Sequence, residues 1–131
     1  MKRLVLLCVS LLVISAPLGA QTGHPAKGSW LGFWGASEDE MSRMLLVLDW
    51  EDREISGTIN PGRNSATVNS ATIDYDTWTM TIEADMPDAG GDTRPFVATG
   101  TLENLGSWVN RRYSGTYSLG DESGTFSLTL N

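Results

Sequence analysis

The stretch TWTMTIEAD, residues 77–85, alternates without a break: Trp78, Met80, Ile82 and Ala84 fall on one side, Thr77, Thr79, Thr81 and Glu83 on the other. A repeat of two is that of an extended strand, whose successive side chains point to opposite faces; a helix repeats every 3.6 residues. From Ser29 onward the apolar pattern keeps this period almost throughout, and no segment sustains helical spacing over three turns. Strands are expected near residues 29–34, 43–50, 54–60, 66–73, 77–85, 95–104, 109–119 and 124–130. Between them stand hairpin-like connections: Glu51-Asp52-Arg53, Asn60 to Asn64, Asp74-Tyr75-Asp76, Leu105-Gly106-Ser107 and Gly120-Asp121-Glu122, with the longest at Met86 to Thr93. Loops this short leave no room for crossover helices, so neighbouring strands must run antiparallel. The expected fold is all-β, a single antiparallel eight-stranded up-and-down barrel over residues 28–131, with a β-sandwich as the alternative.

Glycine falls on the apolar side of that alternation. It does so in Trp30, Gly32, Trp34; in Ile55, Gly57, Ile59; in Ala98, Gly100, Leu102; in Tyr113, Gly115, Tyr117; and in Gly124, Phe126, Leu128. An inward glycine costs backbone entropy and packs nothing, so its repetition needs a cause. Either the strands coil tightly enough to close a small barrel, or the space left open is taken by large side chains such as Trp30, Trp34, Trp50 and Trp78. A closed eight-stranded barrel is just wide enough to be filled by side chains or to hold one small ligand. Trp30, Gly32, Gly57, Gly100, Gly115 and Gly124 are therefore expected to be structural core.

Residues 1–20 read as a secretory signal peptide: Lys2 and Arg3, an apolar run from Leu4 to Ile14, then small residues and Pro17. The run is too short for a permanent transmembrane helix, and export to the periplasm or the extracellular space is expected. Residues 21–27 read as a flexible N-terminus. Removing the leader removes Cys8, the one cysteine, so the remaining chain must fold by apolar burial without a disulfide. It also leaves seven basic residues against sixteen acidic ones, a formal charge of −9. That charge argues against nucleic acid or an anionic membrane as partner.

The leader, the length, the opening Gly28-Ser29-Trp30 and the antiparallel meander resemble the calycin superfamily, the lipocalins and avidins, with the avidins nearer in length. The resemblance implies that Trp30 closes one end of the barrel while ligands enter the other. It does not carry the avidin ligand site: Gly32 stands where avidins place the Asn that contacts biotin, and Gly57-Thr58-Ile59 lacks the tyrosine of the avidin Gly-Thr-Tyr. A late arginine over the first-strand Trp, the lipocalin feature, has Arg111 and Arg112 as its candidates.

Catalytic groupings are sparse. Without a cysteine after the leader there is no Cys nucleophile, and the single histidine, His24, reads as a solvated residue of the N-terminal stub. Carboxylates gather at Asp49 to Glu54, at Glu38 to Glu40, and at Asp85, Asp88 and Asp92. Two of them could serve glycoside hydrolysis, and the last set has oxygen ligands that suit calcium, but ordinary turn chemistry accounts for both; no metal or cofactor is expected. Arg111 and Arg112 are expected to pair with Glu103 or Glu83 across the sheet. The candidate ligand-binding residues are Trp34, Trp50, Trp78, Tyr113 and Arg112, an aromatic set next to an arginine.

These features predict a non-enzymatic binding protein, with a small hydrophobic or aromatic ligand in a Trp-lined barrel end. The alternative is a fully packed structural or protein-interaction module without a ligand cavity, and a carboxylate-only hydrolase is the weaker third.

Overall fold

The computed structural model describes residues 24–62, 64–88, 90–107 and 109–130. Eight strands follow one another: β1 (Gly28–Gly35), β2 (Met41–Glu51), β3 (Glu54–Ile59), β4 (Ala66–Asp74), β5 (Thr79–Pro87), β6 (Thr93–Glu103), β7 (Arg112–Leu119) and β8 (Glu122–Leu130). Each pairs antiparallel with the next, and β1 pairs with β8 through Trp30↔Leu130 to Gly35↔Thr125, closing an up-and-down barrel. No helix is present among the described residues, and none is long and apolar enough to cross a membrane.

The alternating sequence turns every second side chain inward. Met44, Leu46 and Leu48 from β2, Met80, Ile82 and Ala84 from β5, and Phe126, Leu128 and Leu130 from β8 are all buried. The outward sides carry hydroxyls. Register places Thr72, Thr81, Thr99, Thr116 and Thr125 in one row across β4 to β8.

Of the two causes for inward glycine, close strand approach is the one at work. A Cβ on Gly32 would collide with the backbone carbonyl of Ser127, on Gly57 with that of Val47, on Gly100 with that of Ser114, on Gly115 with that of Thr99, and on Gly124 with that of Gly35. Gly100 and Gly115 face each other in the β6–β7 register. Side chains join the crowding only at Gly57, beside Leu48, and Gly100, beside Phe126; no indole is among the nearest atoms at any of the five.

Two strand boundaries differ from the alternation. Trp78 continues the phase of Met80 and Ile82, yet it is a turn residue with φ 57°. Its carbonyl accepts the Leu102 N–H (2.8 Å) and its ring meets Tyr75 edge-on at 5.3 Å. These contacts offset the cost of a bulky residue in the left-handed region. Strand β7 begins at Arg112, not Val109, because the Asn104 amide binds the Asn110 carbonyl and Ser107 Oγ accepts the N–H groups of Val109 and Asn110, holding residues 104–110 as a wide turn.

Candidate functional site

Up-and-down order assigns each expected site residue to an end of the barrel. The start of β1, the end of β2, the β4–β5 turn and the β6–β7 turn share the lower end; the end of β1 and the β5–β6 and β7–β8 turns share the upper end. Trp50 and Trp78 therefore lie low and Trp34 lies high. Tyr113 is buried in the core, its hydroxyl donating to the Met80 carbonyl (2.9 Å), and Arg112 is exposed on the outer wall opposite Glu103. The five candidate ligand residues do not converge on one site.

The space between the ends is full. The central void measures about 10 Å³ and is lined by Leu46, Ile82, Phe96, Tyr113, Phe126 and their apolar neighbours. An apolar space of this size is at the lower limit for a single water and offers it no polar partners.

The lower end is sealed. Trp30 is completely buried, donates its indole N–H to the Ala26 carbonyl (2.8 Å) and meets Tyr113 edge-on at 6.2 Å. Its ring fills the lower end of the barrel. The residues that seal it further were missed by the sequence reading. His24 is half-buried: it stacks on Trp50 at 4.1 Å, its Nε2 lies 2.9 Å from the Tyr75 hydroxyl, and its Nδ1 accepts the Ala26 N–H (3.1 Å). Burial lowers its pKa below the ordinary 6.5. Arg111 is 3% exposed and donates to the carbonyls of Pro25 (3.0 Å) and Leu105 (2.6 Å). The cross-sheet pairing expected for it is thus replaced by contacts under the barrel, because the wide β6–β7 turn directs position 111 inward. The turn-and-cap signal was present as His24-Pro25-Ala26-Lys27 immediately before Gly28-Ser29-Trp30.

The upper end is shallower. Trp34 packs against Phe96 (5.7 Å, edge-on) and Tyr117 (5.1 Å), beside an open depression of about 150 Å³ that Glu40, Ser42 and Glu122 border. Glu122 is held by Arg94 at 2.7 Å. Burial, then the negative charges of Glu122 and Glu40, push the Tyr117 hydroxyl pKa up. The Trp34 indole N–H is buried without a hydrogen-bond partner among the described residues.

In the acidic loop Asp88 Oδ1 accepts the N–H groups of Gly90 and Asp92, and on β5 Asp85 accepts from the Asn69 amide of β4. Among the described residues no three His, Cys, Asp or Glu side chains are grouped to hold a metal. Arg63 and Trp108, like residues 1–20 that are expected to be a signal peptide, lie outside the described residues.

One irregularity interrupts the wall. Neighbouring strands share six to nine register pairs everywhere except at β3 and β4, which share two, Thr58↔Thr67 and Ile59↔Ala66. Below these pairs the strands part around a cleft of about 370 Å³, lined by Arg53, Glu54, Ile55 and residues 69–72.

Compared with protein-family models, with curated proteins and with solved structures, the chain matches none. What the fold and its surfaces define by themselves is an all-β closed barrel of eight antiparallel strands with a filled interior.

Proposed function

We propose that this protein is an exported, non-enzymatic binding module of calycin-like architecture that acts through its outer surface by contact with another protein, its interior serving as core. The observation that carries this reading is the 10 Å³ centre: a hydrophobic or aromatic ligand of even benzene size finds no room among Leu46, Ile82, Phe96 and Phe126. The acidic surface, interrupted by uncharged hydroxyl rows, supports a protein partner over nucleic acid. The test is a panel of fatty acids and hydrophobic dyes, read by tryptophan emission and melting temperature. No saturable change is expected; saturable quenching with a concentration-dependent rise in melting temperature would overturn the reading.

A second reading rests on the depression beside Trp34 and Tyr117. In it, the upper end takes a small aromatic molecule of a few ring atoms, and Trp34 emission reports its binding. Loss of that response in Trp34→Phe would favour it; an unchanged response would remove it.

A further inference from the structure

The β3–β4 seam is where a barrel that otherwise has no edges acquires two. Its cause is local. The β4–β5 register slips between Val68 and Ser70, a bulge centred on Asn69, whose side chain is tied to Asp85 at 3.1 Å. A bulge bends its own strand and sharpens its twist. It turns β4 away from β3 while β3 stays fully paired with β2 from Leu46↔Ile59 to Glu51↔Glu54. Residues 54–57 on one side and 68–74 on the other are left without register partners across the seam. Alternate residues of such edges direct N–H and C=O groups into the gap, and a row of this kind is matched best by another extended backbone.

Building on the outward-acting reading above, we propose that this seam is a strand-addition site for an extended, basic peptide segment of another protein. Within the otherwise polar lining of the cleft, Ile55 and Ala71 are half-buried and pack against the core, offering a seat to one inward-facing aliphatic side chain. The lower mouth is acidic. Glu51, Asp52 and Glu54 from the β2–β3 hairpin and Asp74 and Asp76 from the β4–β5 turn are exposed there, with Arg53 between them. Lys or Arg flanking the aliphatic residue complements this rim. The free length of β3, four residues at about 3.3 Å each, sets the core of the segment at three to four residues. Because β3 and β4 run in opposite directions, the added strand is antiparallel to one and parallel to the other. The hydroxyl rows on β5 to β8 specify no such partner, since those strands are already paired on both sides.

The probe is the capped peptide Lys-Val-Thr-Val-Lys, added to the isotope-labelled protein and followed by amide hydrogen exchange and chemical shifts. In the free protein, seam-facing amides of residues 54–57 and 69–73 are expected to exchange at least ~10-fold faster than those of the paired β5–β6 ladder. The peptide should slow and shift these amides and leave the Trp34 indole signal unmoved. The same peptide N-methylated at its valines cannot donate and should lose binding ~10-fold or more. Glu54→Lys, an exposed change that should keep the melting temperature, should weaken binding several-fold through the rim charge. Protected seam amides in the free protein, equal binding of the N-methylated peptide, or no seam response would each overturn the proposal. A doubled molecular mass without peptide, with seam amides protected by it, would replace the peptide with a second copy of the chain. A silent hydrophobic panel together with a failed peptide would remove the seam site alone; a positive panel with perturbed core resonances would remove the outward-acting reading itself.

Discussion

At the scale of single residues, two kinds of position carry the energetics. Gly100 sits where β6 and β7 approach so closely that a Cβ would strike the Ser114 carbonyl and come within 2.8 Å of the Phe126 ring. Gly100→Val should cost ~3 kcal/mol in urea unfolding, whereas Gly106→Ala, with nothing within 4 Å of the added carbon, should stay within ~0.5 kcal/mol. Trp34 is the opposite case, a large ring with a buried donor that no described residue accepts. An unsatisfied buried donor carries a desolvation cost of ~1–3 kcal/mol, so Trp34→Phe should be neutral or stabilising despite the lost ring volume. Unfolding midpoints of the three variants check these expectations. Alternation made the inward position of all five glycines legible in advance, since a side chain's face follows from its parity. What crowded each one was not legible: the obstructing carbonyls belong to neighbouring strands, and their approach depends on how tightly the closed wall coils.

Among the elements, the N-terminal turn His24–Lys27 has an effect larger than its size. Through Ala26 it satisfies the Trp30 indole, through Pro25 it receives Arg111, and through His24 it covers Trp50. Burial holds the His24 pKa below 6.5, so the unfolded chain takes up a proton more readily than the folded one. The stabilisation is complete above pH ~6.5 and is lost as the pH falls below it through the folded value. Urea midpoints measured from pH 8 to pH 5 should therefore decline on the acid side, and His24→Gln should flatten that decline. Sequence reading treated this segment as solvated because it has no alternation of its own; its order comes entirely from what it covers. The divergence of β3 and β4 was equally hidden, because the bulge at Asn69 interrupts a register that only the paired β5 reveals.

Taken as a whole, the molecule is braced across its centre by Tyr113, which rises from β7 to donate to the Met80 carbonyl on β5 while its ring packs on Trp30 and Phe126. Tyr113→Phe should cost ~1–2 kcal/mol by stranding that carbonyl. Burial holds the Tyr113 hydroxyl far above its ordinary value of 10.0, which makes stability full below that pH and progressively lost above it. Spectrophotometric titration should show one tyrosine that ionises only as the barrel unfolds. The sequence by itself determined that this chain is an all-β antiparallel meander: strand parity, short hairpins and inward glycines are local properties, each written within a few consecutive residues; the β1–β8 pairing chose the barrel over the sandwich. The up-and-down order even contained the separation of Trp34 from Trp50, since the ends of successive strands point opposite ways. Whether the centre is hollow, which turn seals the lower end and where the wall opens were decided by tertiary structure alone. Those outcomes depend on coiling, stagger and the volumes of side chains brought together from distant strands, and no local pattern sums them.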